Sequence, residues 1–445
     1  MHDLDYIINN LDIRSPYGRE ALRNLAPFRR KDEALAQKCF DDIEVLVALG
    51  KDRLDEIGIG LAFFKNIRGT IAKIENMPLN QVELFEIKGF LLALERFASV
   101  QADVPVIIGT ITPSLDILDP KGLRLAPFSL ESPTLTAIRH EKNSSPENWA
   151  EVCLREDAEE KRVMEELSQA LRAFIPDFLA VMNALGQMDL LRAKALAAIE
   201  YGGCRPKISM NTLVFKGMGN PYITAALAER GRRFTKISIA LNQGVAVITG
   251  ANMGGKSVAL KTLVLNANLC RLGFFPIADE ALAPLFDDIC LIASDGQSTR
   301  CGLSSFGAEI SRLNEIIPRL PNEYLLIALD EPARTTNPAE GAAIARGLAE
   351  YLAEAPAISV ITTHYERIAA PGMARYQMAG LCKDIAGLNS ADIADLASHM
   401  SFELLMTPPD APVPKDAITI CQIMGLDEAL MRKITQARST ASLSL

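Results

Sequence analysis

The 445-residue chain is poor in the residues that mark several function classes. It has one tryptophan, Trp149, and four histidines, His2, His140, His364 and His399. Its eight cysteines (Cys39, Cys153, Cys204, Cys270, Cys290, Cys301, Cys382 and Cys421) are scattered, with no C-x-x-C pair. That spacing suits neither a zinc site nor a disulfide framework, so reduced thiols are expected. Basic residues are not in excess. Forty-six Lys and Arg stand against 55 Asp and Glu, for a net charge of −9. A global pull toward nucleic acid is excluded, and any DNA contact has to come from a local basic face. No apolar run reaches the ~20 residues of a membrane span. The start, MHDLDYIINN, is acidic and mixed, unlike a signal peptide. A cytoplasmic protein with no membrane partner is expected.

A 49% hydrophobic and 23% charged composition is ordinary for globular domains, and the length leaves room for two to four. Residues 1–125 read as helices. After a turn at Ser15-Pro16-Tyr17-Gly18, a helix is expected through Glu20–Leu25. Leu35, Cys39, Ile43, Leu46 and Val47 then recur at helical spacing, as do Val82, Phe85, Ile87, Phe90, Leu91 and Leu94. These stripes read as core. Pro105, Pro113, Pro120, Pro127, Pro133 and Pro146 predict an irregular connector over 104–150. Residues 151–166, EVCLREDAEEKRVMEE, read as a solvated helix face. That helix is expected to continue to Leu185 with a kink at Pro176, and another to follow at Met188–Ala198. Trp149, beside a helix start, reads as a packing anchor.

From Ser209 strands alternate with helices. Strands are expected at Thr212–Phe215, Lys236–Ala240, Val245–Thr249, Asp288–Ile292, Tyr324–Leu329 and Ile358–Thr362. Helices are expected at Ser257–Leu272, Phe306–Ile317 and Glu340–Ala353. This pattern predicts an α/β domain with a mostly parallel sheet. Residues 416–437 read as a small helical tail.

The stretch everything else is arranged around is Gly250-Ala251-Asn252-Met253-Gly254-Gly255-Lys256-Ser257, which fits G-x-x-x-x-G-K-[ST] between a strand and a helix. Glycines let the backbone close on an anion, and successive N–H groups at a helix start point at phosphates. Lys256 would offset the β- and γ-phosphates, and Ser257 would ligate Mg²⁺ through its hydroxyl. ATP and Mg²⁺ are the expected cofactors. The apolar run 324–329 ends in Asp330-Glu331. A carboxylate at a strand's carboxyl end can hold the metal, here Asp330, and its neighbour can activate water, here Glu331. A further strand ends in His364, which is read either as a strand cap or as a γ-phosphate sensor.

GANMGGKS, GLSSFGAEISRLNEII (302–317), LDEPARTTNP (329–338) and TTHYE (362–366) together resemble the ATPase of the MutS family, a branch of the ABC-type ATPases. The likeness runs over roughly residues 210–370, from Asn220-Pro221-Tyr222-Ile223 through LGFFPIADEA (272–281). The tail resembles the family's C-terminal dimer element. The N-terminal helices resemble, more loosely, its lever or core domain. The resemblance implies four parts: a helical lever/core domain at 1–125, a connector and long arm in the truncated clamp region at 126–208, the ATPase at 209–385, and a helical dimerisation appendage at 386–445. It also implies head-to-tail ATPase domains with composite sites. Ser304 or Ser305 of a second MutS-like subunit would contact the γ-phosphate. Phe234 would stack on adenine, although Ile237 stands where the family has Asn. Ala251 replaces a usual Pro, and Ala333-Arg334-Thr335-Thr336-Asn337 replaces a glycine-rich segment. Mismatch-reading, connector and nuclease-type domains are expected to be absent. Two functions compete: a DNA-associated, mismatch-repair-like ATPase with weak, non-specific DNA contact, and an ATPase that remodels a client enzyme of the aminomutase-reactivating type.

Overall fold

The structure is a computed structural model describing residues 2–101, 104–124, 128–144, 148–251, 254–293, 305–381, 400–408, 411–412, 417–423 and 425–442, with backbone alone at 305, 423 and 438–442. Two compact units emerge. One comprises Leu11–Ala26 and Asp41–Ile199; the other comprises Met1–Asn10, Pro27–Phe40 and Glu200–Leu445.

The first ten helices are α1 (His2–Asn9), α2 (Pro16–Arg23), α3 (Glu33–Leu49), α4 (Lys51–Ala62), α5 (Arg68–Ile74), α6 (Gln81–Ala98), α7 (Thr112–Leu118), α8 (Pro133–Ser144), α9 (Trp149–Arg172) and α10 (Ile175–Tyr201). In the first unit, helix starts are written in local chemistry. Ser15 caps α2, its hydroxyl accepting from the Gly18 N–H at 2.9 Å with Pro16 at the first position. Asn80 and Glu83 form a reciprocal capping box on α6. The buried Asp189 of α10 accepts from the Ser15 N–H at 2.6 Å and its hydroxyl at 2.7 Å, and Arg192 reaches Asp12 at 3.2 Å. These charged hydrogen bonds pin the chain before α2 onto α10.

Three expectations change here. Residues 104–150 are not one irregular connector, because α7 and α8 lie in them, and Pro113 and Pro133 open those helices. An absent N–H is harmless in a first turn, so these prolines start helices rather than break them. Likewise Pro176 opens α10 after α9 has ended at Arg172, and α10 then runs unbroken through Leu185 and Met188. Trp149 is 57% exposed, so it is not a packing anchor.

The second unit holds the strands. These are β1 (Lys207–Ile208), β2 (Thr212–Met218), β3 (Ile237–Asn242), β4 (Gly244–Thr249), β5 (Glu280–Ala283), β6 (Asp288–Ile292), β7 (Leu325–Asp330), β8 (Ile358–Thr363), β9 (Ala374–Leu381) and β10 (Met400–Met406). Its later helices are α11 (Pro221–Ala228), α12 (Lys256–Arg271), α13 (Ser305–Ile316), α14 (Pro338–Ala353), α15 (Ala417–Ile423) and α16 (Glu428–Ser442). The main sheet has the order β10-β9-β4-β8-β7-β6. It is parallel except for β10, which runs antiparallel to β9. A four-stranded sheet, β1-β5-β2-β3, accompanies it.

The apolar runs of β4 and β7 are explained by burial on both faces, and β8 is equally buried although Ser359, Thr362 and Thr363 interrupt its apolar residues. Because side chains alternate, Ala246, Ile248, Leu326 and Val360 join one core with Leu260 and Leu263 of α12. Val247, Leu325, Ile327 and Ile361 join the opposite core with Ala345 and Ala349 of α14. By contrast β3 alternates buried and exposed residues, as a one-sided strand should. The N-terminal helix belongs to this unit because buried Asp3 accepts from the Asn220 side-chain amide at 3.0 Å, and Phe28 N–H donates to the Arg271 carbonyl at 2.7 Å.

Candidate nucleotide site

The carboxyl ends of β4, β7 and β8 lie side by side, with Thr249 opposite Thr363 and Asp330 opposite Thr362. That end of an open α/β sheet is where ligands bind. The register therefore gathers Lys256, Asp330, Glu331 and His364, which lie up to 108 positions apart in the sequence, at one place.

The loop after β4 turns at Gly250 and Gly255, whose φ angles are 146° and 89°. A Cβ at Gly250 would lie 2.9 Å from Met378 Cβ, and one at Gly255 would lie 3.2 Å from Phe402 Cδ1. Gly250 thus needs glycine for conformation and for space, and Gly255 chiefly for its left-handed conformation. Gly254 completes the approach to α12, which starts at Lys256 as expected. Asn252 and Met253 lie outside the described residues. So does Ser304, and at Ser305 only the backbone, the first residue of α13, is described.

Lys256 is buried, and its Nζ donates to the carbonyls of Gly250 at 2.8 Å and Ala251 at 3.1 Å. It also lies 3.0 Å from Oε1 of Glu331. Ser257 Oγ donates to Asp330 Oδ1 at 3.0 Å, and Thr362 Oγ1 donates to the same oxygen at 2.7 Å. Glu331 adopts a left-handed backbone, φ 51°, and its N–H is held by Thr362 through both the carbonyl and the hydroxyl. Arg334 reaches Glu331 Oε2 at 3.0 Å. His364 Nδ1 stands 3.9 Å from Glu331 Oε1 and makes no hydrogen bond among the described residues. Burial holds its pKa below the ordinary histidine range; Glu331 opposes that shift, while Lys256 and Arg334 reinforce it.

Among the described residues no group of three or more His, Cys, Asp or Glu could hold a metal ion by itself. The hydroxyl of Ser257 and the carboxylate of Asp330 nevertheless form an all-oxygen pair. This fits a Mg²⁺ that takes its other ligands from water and phosphate.

Beside the loop is a cavity of about 390 Å³, lined by Phe234, Phe402, Ile223, Leu227, Met378 and Gly255 among others. Phe234 is therefore placed next to the phosphate loop. Three members of this constellation escaped the sequence reading. Thr362 was visible only as a strand residue, Arg334 only as a departure from a glycine-rich pattern, and Phe402 sits on β10, 147 positions beyond Gly255, with no local signal.

The MutS domain V profile matches residues 246–394. The chain is 31% identical over 229 residues to Endonuclease MutS2 of Thermomicrobium roseum, covering 49% of this chain and 29% of that protein. It is 29% identical over 281 residues to Endonuclease MutS2 of Fusobacterium nucleatum, covering 63% and 34%. With Endonuclease MutS2 of Leuconostoc citreum it shares 27% over 301 residues, covering 66% and 35%. The matched stretch thus spans about a third of each relative.

Proposed function

The chain belongs to the MutS family, and from that premise we propose that it is an ABC-type, Mg²⁺-dependent ATPase. It works as a dimer with composite nucleotide sites, and its target is DNA. The convergence of Lys256, Ser257, Asp330 and Glu331 at the ends of β4 and β7 carries the reading. Lys256 and the N–H groups at the start of α12 offset the phosphate charge. Ser257 and Asp330 would hold Mg²⁺, which would supply positive charge against the phosphates. Glu331 takes the proton of the attacking water as its oxygen bonds to the γ-phosphorus and the bond to the β–γ bridging oxygen breaks. His364 stands at the γ-phosphate side, and Phe234 stacks on adenine. Ser304 and Ser305 complete a second copy's site, and α15 and α16 supply a dimer contact.

The DNA reading follows the relatives, whose names describe endonucleases. They do not favour the protein-remodelling alternative. Among the described residues no helix is long and apolar enough to cross a membrane, and the cytoplasm is the proposed location. The direct test is phosphate release from ATP by the full chain, with and without Mg²⁺, beside Lys256→Ala. Turnover that needs neither the metal nor Lys256 would overturn the proposal.

A further inference from the structure

Glu331 is followed by a turn whose geometry is imposed from outside it. Both Glu331 and Ala333 adopt left-handed backbone angles, φ 51° and 56°, in a stretch without glycine. Side chains with a Cβ seldom adopt that region unless their surroundings enforce it. The enforcement is visible at Ala333, which is wholly buried. Its N–H donates to both carboxylate oxygens of Glu309 on α13, at 3.0 and 3.3 Å. Its carbonyl accepts from the Tyr365 hydroxyl at 3.3 Å. The Ala333 peptide groups are thus gripped on both sides, by Glu309 of α13 and by Tyr365 of the loop after β8.

Space for this grip is reserved on α14. A Cβ at Gly341 would collide with the Tyr365 hydroxyl and lie 2.8 Å from the Ala333 carbonyl oxygen. Tyr365 in turn packs against His364, ring centroids 4.4 Å apart. Burial raises the pKa of Glu309, against the opposing hydrogen bond from Ala333. Among the described residues, the hydrogen bond that opposes this desolvation of Glu309 comes from the Ala333 N–H.

We propose that Glu309 and Tyr365 are positioning residues for hydrolysis: gripping Ala333, they fix the turn that aims the Glu331 carboxylate and seat His364 beside it. The inference rests on reading Glu331 as the residue that activates water. Neither Glu309 nor Tyr365 lines the cavity at Phe234 or bonds to Lys256, Ser257 or Asp330. Their loss should therefore slow turnover and spare nucleotide binding.

The test is ATP turnover and ATP affinity of the full chain carrying Glu309→Ala, Glu309→Gln, Tyr365→Phe and Glu331→Gln, with Glu309→Ala/Glu331→Gln as the double variant. Glu309→Ala is expected to lower kcat about tenfold or more with ATP affinity within about twofold. Glu309→Gln, which keeps an acceptor oxygen, is expected to recover most of kcat. Tyr365→Phe is expected to lower kcat with affinity retained. The double variant is expected to be no slower than Glu331→Gln alone. If Glu309→Ala does not fold, Tyr365→Phe decides. Wild-type kcat in a folded Glu309→Ala or Tyr365→Phe protein, beside a slow Glu331→Gln, would overturn this inference alone. A fast Glu331→Gln would overturn it together with the reading of Glu331.

Discussion

Lys256 and Glu331 form a buried ion pair, Nζ to Oε1 3.0 Å, with side chains 3% and 9% exposed. The charge proposed to meet phosphate and the carboxylate proposed to activate water are therefore in direct contact. Removing one partner of a buried pair strands the other, typically at roughly 3–5 kcal/mol. Here Arg334 holds the other oxygen of Glu331, so the loss on removing Lys256 should fall below that range.

The first prediction separates the two roles. Lys256→Ala should abolish tight ATP binding, because the charge that offsets the phosphates is gone. Glu331→Gln should keep binding and lose turnover, because only water activation is removed. Equilibrium binding and phosphate release measured on both variants decide it. Equal loss of binding in the two would show the roles wrongly assigned.

ATP should strengthen dimerisation of Glu331→Gln. Ligand that contacts both subunits stabilises the assembled state by mass action. Sedimentation with and without ATP is the measurement. A monomer under both conditions, with full turnover by the wild-type chain, would rule out composite sites.

The cavity beside Gly255 should recognise the base. Phe234→Ala and Phe402→Ala should each weaken ATP by about tenfold, in line with roughly 1–3 kcal/mol for stacking one base on an aromatic ring. Inorganic triphosphate, which has no base, should bind both variants as it binds the wild-type chain. An equal loss for triphosphate would place these rings outside base recognition.

His364 should make stability pH-dependent in a defined direction. Its folded-state pKa lies below the ordinary value, so the unfolded chain takes up this proton first as pH falls. Its contribution is intact above about 6.5 and is lost as pH drops from there through the folded value. Urea midpoints at pH 7.5 and 5.5 should therefore differ more for the wild-type chain than for His364→Gln. Identical differences would remove His364 as the source.

DNA affinity should be weak, sequence-independent and strongly salt-sensitive. Lys and Arg contacts to phosphate give that kind of affinity, and base contacts give selectivity. The basic residues around α8 and α9 are already engaged. Arg139 meets Glu156 at 3.1 Å and Glu160 at 2.8 Å, and Lys142 also meets Glu156. Arg155 meets Glu141 at 3.0 Å, Lys161 meets Asp157 at 2.7 Å, and Arg162 meets Glu159 at 2.8 Å and also Glu166. Exposed Trp149 has Lys142 Nζ 5.8 Å from its ring centroid. Homoduplex and single-mismatch duplex should be compared in a salt series. A mismatch preference of about tenfold, worth roughly 1.4 kcal/mol, would overturn this expectation and make lesion sensing the better reading.

Local chemistry was enough for much of this protein. The G-x-x-x-x-G-K-S loop is legible because its glycines, Lys256 and Ser257 fall within eight consecutive residues, and β4 and β7 because burial on both faces favours continuous apolar runs. The helix start at Ser15 shows the limit of that reading: Ser15-Pro16-Tyr17-Gly18 reads as a turn, yet α2 already begins at Pro16 with Ser15 as its cap. The prolines of 104–150 misled because a first-turn proline and a breaking proline are the same letter, and only the surrounding contacts separate them. What the tertiary structure decided is what depends on residues far apart meeting. Strand register sets Asp330 beside Thr362, and β10 returns to bring Phe402 to Gly255. The left-handed turn at Glu331 and Ala333 was beyond any local reading, since neither residue favours it. Its cause lies in Glu309 and Tyr365, one 24 positions before Ala333 and the other 32 after it.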